Sequence, residues 1–188
     1  MIRSLYAATT GMLAQQMNID NIANNMANVN TTAFKKAKVH FQDLMYQTIK
    51  EAGSPTADGM NRPTELSVGV GVKPVSTYRS FTQGGVNNTG NPLDIAINGE
   101  GFFQLATADG EIFYGRDGSF RMNELGEIVT SEGMYLEPGI TLPADTESVS
   151  ITQDGIVLVV LHGESTAEEI GQIELARFVN PAGLKSIG

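Results

Sequence analysis

Cysteine is absent from this chain of 188 residues. Its absence excludes disulfide bonds, thiolate nucleophiles, and zinc or iron–sulfur sites that depend on cysteine ligands. A chain without cysteine also suits a protein that works outside the cytoplasm, where unwanted disulfides form, although many cytoplasmic proteins lack cysteine by chance.

Long apolar runs are missing as well. No stretch approaches the ~18 consecutive apolar residues of a membrane-spanning helix, and no uninterrupted apolar segment follows Arg3. We therefore expect no membrane insertion and no cleaved secretion signal. If the protein leaves the cytoplasm, another export route must carry it.

Charge is scarce at the N-terminus and unevenly divided along the chain. Between Ser4 and Thr32 the only charged residue is Asp20. Residues 1–50 carry a net charge of +3. Because the whole chain carries −9, the remaining residues together carry −12. The lysines of residues 35–38 are too few to indicate a nucleic-acid site, because the rest of the molecule would repel phosphate. A solvated surface, or a contact with an acidic neighbour, is the better interpretation.

Asparagine is unusually abundant in the same N-terminal segment. Six asparagines fall within thirteen residues: Asn18, Asn21, Asn24, Asn25, Asn28 and Asn30. Asparagine is a mediocre helix former because its amide competes for backbone hydrogen bonds. These amides therefore indicate a purpose other than helix formation.

Apolar spacing in this segment predicts an α-helix of about 25 residues, ~37 Å long. One heptad register places apolar residues at its a and d positions, with Thr9, Gln16 and Asn30 at the remaining ones: Ile2, Leu5, Met12, Ile19, Ala23 and Met26. This apolar seam favours packing against another helix. Four asparagines (residues 18, 21, 25 and 28) form a second stripe within reach of neighbouring helices. The alternative is an ordinary surface helix, but glutamate and lysine would serve such a face better.

Organisation changes after this helix. Residues 34–50 have roughly helical apolar spacing, so we predict a second helix, although their β-branched and aromatic content leaves a strand open. Residues 51–66 lack periodicity and predict a loop. Alternation begins at Val68 and strand signals continue to the end.

Four turn signals divide the C-terminal region, at Asp109-Gly110, Asp117-Gly118, Leu125-Gly126 and Asp154-Gly155. They predict a meander of antiparallel hairpins. The apolar run at residues 156–161 requires burial on both faces. The predicted fold is α+β: a long N-terminal helix and a mainly antiparallel β domain, arranged as a small sandwich or partly closed barrel.

No pattern of catalytic residues is evident. The two histidines, His40 and His162, are far apart in sequence, and no recognised hydrolase, metalloprotease or nucleotide-binding motif is present. Three aspartates (residues 109, 117 and 154) could supply paired carboxylates for glycoside hydrolysis. Each precedes a glycine in a predicted turn, however, which favours a conformational role. We predict no catalytic, cofactor, metal or small-molecule site.

Two long motifs resemble those of the bacterial flagellar axial proteins, the family of rod and hook subunits. The first is ATTGMLAQQMNIDNIANNMANVNTTAFKK at residues 8–36. The second is NTGNPLDIAINGEGFFQL at residues 88–105, followed by YGRDGSFRMNELGEIVTSEG at residues 114–133. The segment between Tyr46 and Val72, together with the final FVNPAGLKSIG, is most similar to the distal-rod members.

The resemblance implies a structural subunit of the flagellar distal rod, which polymerises helically into a hollow shaft across the periplasm after export without signal cleavage. A proximal rod or hook paralogue is the alternative within the family, and a secreted glycan binder or hydrolase is the alternative outside it. Expected partners are copies of itself, other axial proteins and ring bushing proteins. The expected subunit interface comprises Leu5, Met12, Asn18, Ile19, Asn21, Asn24, Asn25, Asn28, Asn30 and Phe34.

The resemblance also implies a division into residues 1–33 (axial helix and asparagine motif), 34–72 (connecting segment) and 73–188 (β domain). Family members normally continue into more β structure and a C-terminal helix, so we expect either that this sequence is a truncated product or fragment of such a chain, or that neighbours supply a partner for the seam. Ala33 stands where many members have glycine, and a left-handed turn there would be strained.

Overall fold

The computed structural model describes residues 2–55, 62–163 and 166–187. The chain divides into two compact units, Met1–Phe81 and Thr82–Gly188. The described part holds one α-helix followed by mainly antiparallel sheets that do not close into a barrel. The predicted α+β class is confirmed.

The first unit combines the helix with two small two-stranded sheets. Its elements are α1 (Ile2–Ala27), β1 (Ala37–Asp43), β2 (Gln47–Lys50), β3 (Leu66–Val68) and β4 (Val72–Arg79). The 26-residue helix agrees with the predicted length. Alanine, leucine, methionine and glutamine supply its propensity, and it ends where Asn28 and Val29 enter a turn. Ala33 adopts φ 60°, which is the left-handed conformation expected to be strained there.

The helix predicted for residues 34–50 is wrong, because these residues form β1 and β2. Strand β1 pairs with β4 in antiparallel register, from Ala37 opposite Arg79 to Asp43 opposite Val72, with a bulge at His40/Phe41. The alternating residues of β4 provide a partner from a distant part of the sequence. That non-local pairing outweighs the helical spacing of the local residues.

The residues predicted as a loop, 51–66, connect the two strands of a hairpin. Strand β2 pairs with β3, and the connection is tied by hydrogen bonds from Gly53 N–H to Arg62 O (2.9 Å) and from Arg62 N–H to Ser54 O (3.2 Å). Residues 56–61 of this loop lie outside the described residues. The division at residues 33 and 72 stays a prediction; β4, which crosses the second boundary, belongs to the first unit.

The second unit is built from β strands. They are β5 (Phe102–Ala106), β6 (Ile112–Gly115), β7 (Arg121–Met122), β8 (Ile128–Val129), β9 (Tyr135–Glu137), β10 (Thr146–Ile151), β11 (Ile156–Leu161), β12 (Ala167–Gln172) and β13 (Leu175–Ala176). One sheet has the order β13-β5-β9-β8-β7 with β6 paired to β5, and a second has the order β10-β11-β12. A 3-10 turn follows at Pro181–Gly183.

Three of the four predicted hairpins are confirmed: β5-β6 around Asp109-Gly110, β7-β8 around Leu125-Gly126, and β10-β11 around Asp154-Gly155. The hairpin predicted at Asp117-Gly118 is wrong, because β6 pairs with β5 and β7 pairs with β8. Gly118 is instead a point of close approach. A Cβ there would lie 1.7 Å from Ile95 O.

The core lies in the second unit. Phe103 and Phe120 meet edge to face with ring centroids 5.1 Å apart. Val157 and Val159 are fully buried on one side of β11, while the alternate residues of that strand are half-buried. The buried cluster comprises Ile97, Phe103, Leu105, Phe120, Ile128, Leu136, Ile140, Leu142, Val157, Val159 and Ile173.

Candidate functional site: the two sides of the N-terminal helix

One side of α1 packs against the chain's own strands. Half-buried or buried residues recur on this side, mostly at three- and four-residue steps, and continue to the residue just past the helix: Ala7, Thr10, Gly11, Ala14, Asn18, Asn21, Asn25 and Asn28. Ala14 is the buried centre of this side, with 7% of its surface exposed. Small residues and amides therefore form the side that approaches β1 and β4. We call it the strand side.

Asn25 binds the backbone of β1 with both ends of its amide. Its Nδ2 donates to Ala37 O at 2.8 Å, and Ala37 N–H donates to Asn25 Oδ1 at 3.0 Å. This is the pattern by which one peptide group pairs with another across an antiparallel sheet. The side chain thus takes the place of a neighbouring strand at this residue.

Asn21 continues the same arrangement along β1. With its amide oriented to satisfy the hydrogen-bonding groups around it, its nitrogen donates to Ala37 O at 3.1 Å and its oxygen accepts from Val39 N–H at 3.3 Å. Four helical residues rise about 6 Å, and two strand residues span about 6.7 Å. The i, i+4 spacing of the asparagines therefore matches alternate residues of the strand edge.

The other asparagines have different surroundings. Asn28 Nδ2 donates to Asn24 O at 3.0 Å, and Thr31 Oγ1 donates to Asn28 Oδ1 at 3.2 Å, so this pair helps to end the helix. Asn24 and Asn30 are exposed, whereas Asn18 and Phe34 are half-buried. That these residues form a subunit interface stays a prediction. Asn21 and Asn25 also form hydrogen bonds to strand β1 of the same chain.

The opposite side of α1 is apolar and exposed. Leu5 and Ala23 each lie nine residues from Ala14, which is two and a half helical turns. A half turn places them on the opposite side of the helix, so the predicted seam points directly away from the strand side. Three seam residues keep about two thirds of their surface exposed: Leu5 (67%), Met12 (66%) and Ile19 (63%). Ile2 and Met26 are exposed as well. A helix whose apolar stripe faces away from the strands of its own unit is suited to a further partner.

Sequence reasoning missed two features of this helix. It did not identify the edge of β1 as the partner of the amides, because helical spacing in residues 34–50 concealed the strand. It also did not include the exposed apolar residues beside the seam, among them Tyr6, Leu13 and Ile22. The continuous apolar character of the helix was the available signal.

The aspartates of the predicted turns lie in local turn structure, and Asp117 forms side-chain hydrogen bonds there. Asp117 Oδ1 accepts from Ser119 N–H at 3.1 Å and from its hydroxyl at 2.8 Å, while Asp109 and Asp154 lie in tight turns.

A hydrogen bond from Thr89, aided by Asn91 and Arg121 and opposed by desolvation, lowers the pKa of the Asp94 carboxyl. A lowered pKa makes that group a poor general acid.

The described residues contain no cluster of metal-ligating side chains. Within the same ranges, no helix has both the length and the hydropathy needed to cross a membrane.

Two family models match the sequence. One, described as flagella basal body rod protein, covers residues 5–35, and the other, described as flagellar hook protein FlgE/F/G D1 domain, covers residues 96–159. The first contains the strand side and the seam from Leu5 onward, and the second contains most of the buried core.

Curated rod proteins resemble the chain over its full length, and a hook protein resembles part of it. The flagellar basal-body rod protein FlgG of Buchnera aphidicola subsp. Acyrthosiphon pisum is 45% identical over 188 residues, covering 100% of this chain and 72% of the relative. FlgG of Borreliella burgdorferi is 45% identical over 190 residues, with the same shares covered. The flagellar hook protein FlgE of Helicobacter mustelae is 40% identical over 138 residues, covering 73% of this chain and 30% of the relative.

Proposed function

This chain belongs to the flagellar basal-body rod protein family and is a structural subunit of the rod; from that premise we propose that it builds the distal part of the rod, polymerising helically into a rigid hollow drive shaft. Similarity over the whole chain to rod proteins, against partial coverage by a hook protein, supports the rod over the hook.

The exposed seam of α1 is the observation that carries the polymerisation proposal. A tube grows by heterologous contacts, in which each subunit presents two different complementary surfaces. The seam is one such surface, because it is apolar and points away from the strands of its own subunit. Leu5, Met12 and Ile19 would pack against a helix of a neighbouring axial protein.

The proposed partners are copies of this chain, other axial proteins of the flagellum, and ring bushing proteins around the shaft. Export without a cleaved signal is part of the same proposal. We also propose that the protein is not an enzyme. If the protein cleaved peptidoglycan, and Asp117→Asn or Asp154→Asn abolished the cleavage, the proposed structural role would be contradicted and a cell-wall hydrolase favoured.

Charge substitutions in the seam test polymerisation. Met12→Glu and Ile19→Glu leave the exposed helix intact, since glutamate has good helix propensity, but place carboxylates in the apolar contact. We expect each to raise the critical concentration for tube formation at least tenfold, measured by sedimentation and electron microscopy. Circular dichroism should show unchanged folding.

Leu13→Glu is the matched control, because Leu13 is 60% exposed on the same helix but lies outside the seam register. It should leave tube formation near that of the unchanged chain. An equal loss in Leu13→Glu would refute the seam as the contact. Tubes that form normally with Met12→Glu and Ile19→Glu would refute it as well.

A further inference from the structure

The two units of the chain carry opposite net charge. The first, Met1–Phe81, has eight Lys/Arg against five Asp/Glu, whereas the second, Thr82–Gly188, has four against sixteen. Between Arg121 and Arg177 the sequence contains no lysine or arginine at all. Second units placed side by side would therefore repel each other unless cations from elsewhere lay between them.

A basic face lies on and beside the two-stranded sheet formed by β1 and β4. We define this basic face as Lys36, Lys38, His40 and Tyr78, all of which are exposed. Lys38 lies directly opposite Tyr78 in the register, and the His40 and Tyr78 rings meet edge to face with centroids 6.3 Å apart. Within the described residues, neither Lys36 nor Lys38 forms an ion pair with a carboxylate. The face therefore presents uncompensated cations beside an aromatic surface.

An acidic strand lies at the edge of the β10-β11-β12 sheet in the second unit. Strand β12 is bonded to β11 along one side, and its outer edge has no partner strand among the described residues. It carries adjacent exposed carboxylates at Glu168 and Glu169, and neither forms an ion pair in the described part of the chain. Consecutive strand residues point to opposite faces, so the two carboxylates flank the strand edge.

We propose that the basic face of one copy docks on the acidic strand of a neighbouring copy. This inference rests on the proposed function, because a helical polymer needs two different surfaces that complement each other. The partner that the charges select is a second copy of this chain, since both surfaces are present in it and like units repel. Exposed ion pairs contribute little individually, so the contact sets subunit orientation and register and weakens as salt rises.

Charge reversal in two separate variants tests the contact. Lys36→Glu/Lys38→Glu makes the basic face acidic, and Glu168→Lys/Glu169→Lys makes the acidic strand basic. Each variant alone should raise the critical concentration for polymerisation about tenfold, measured by sedimentation of the full chain at low salt. An equimolar mixture should return it to within about twofold of the unchanged protein, because each altered surface then finds an opposite charge on the other variant.

Glu124→Lys/Glu132→Lys is the matched control, since both residues are exposed carboxylates of the second unit outside β12. Mixed with the lysine-reversed variant, it should give no rescue. Rescue by this control, or no effect of either reversal, would refute the contact. Rescue when all four changes are in one chain, but not in the mixture, would show that the contact is intramolecular and also overturn the proposal.

A failure of the polymerisation proposal can be distinguished from a failure of this contact. If the unchanged chain stays monomeric at every concentration, the polymerisation proposal falls and this contact falls with it. If the unchanged chain polymerises and the seam variants do not, while the charge variants behave like the unchanged chain, only this contact is wrong.

Discussion

Asn25 shows how a side chain can substitute for main chain. An amide has the same donor and acceptor as a peptide group, so Asn25 satisfies the N–H and C=O of Ala37 together. Glutamate or lysine at this position would satisfy only one of them. The sequence indicated that the amides had a purpose beyond helix formation, but it did not contain a local signal for the strand twelve residues away.

Asn25→Ala tests this role. The change leaves the Ala37 N–H without its partner, while the Ala37 carbonyl keeps the amide of Asn21, and we expect it to lower the stability of the first unit by about 1–3 kcal/mol. Faster hydrogen exchange of the Ala37 amide should report the loss directly. Asn30→Ala, at an exposed asparagine outside α1, should leave that exchange rate unchanged. Unchanged protection of Ala37 in Asn25→Ala would show that water replaces the side chain at no cost.

The first helix and the strand after it show the limits of local sequence patterns. The helix was predictable because its apolar residues recur over about seven turns without proline, and Asp20 is its one charged residue after Arg3. Strand β1 was not, because its structure depends on β4, about 35 residues later, and on the amides of α1. The apolar seam was predictable as a stripe, but only the structure places it opposite the strand side.

Gly71 fixes the contact between α1 and the segment that enters β4. It adopts φ +119°, and a Cβ would lie 2.2 Å from Thr10 Oγ1 and 3.4 Å from Ala7 Cα. Gly71→Ala should therefore destabilise the first unit by about 1–3 kcal/mol, through backbone strain and crowding together. Chemical denaturation followed by circular dichroism at a helix-sensitive wavelength measures the change.

Gly11→Ala is the matched control on the same helix. Beyond its chain neighbours and the backbone of its own helix, no atom lies within 4 Å of the added methyl group, and alanine is favoured over glycine inside a helix by about 1 kcal/mol. We expect it to stabilise α1 slightly. A similar loss of stability in both variants would mean that an added methyl group perturbs the first unit wherever it is placed, and that the close contact between Gly71 and Thr10 is not the cause.

At the scale of the whole molecule, hydrophobic burial is divided unequally. The buried core cluster belongs to the second unit, whereas Ala14 is the single buried hydrophobic residue among the described residues of the first. The hairpins of the second unit were largely predictable, since Asp-Gly and Leu-Gly turns punctuate alternating strands. Strand β12 was not predicted, because its glutamates and glycine do not resemble a buried strand.

Phe120→Ala tests the separation of the two units. Phe120 is fully buried against Phe103, so its loss should destabilise the second unit by about 3–5 kcal/mol. Hydrogen exchange should accelerate throughout β5 to β13 while protection in α1 and β1 stays the same. Equal acceleration in both units would show that they unfold as one cooperative body.

The amides along β1 also bear on a hazard that every polymerising protein faces. An unpaired strand edge invites another chain to add to it, and strand addition leads to fibrils rather than to an ordered tube. Asn21 and Asn25 occupy the hydrogen-bonding groups of Ala37 and Val39 with side chains, which another chain cannot use as a template. Asn21 and Asn25 thereby restrict how this chain self-associates. They block strand addition at β1, while the seam on the other side of the helix remains open.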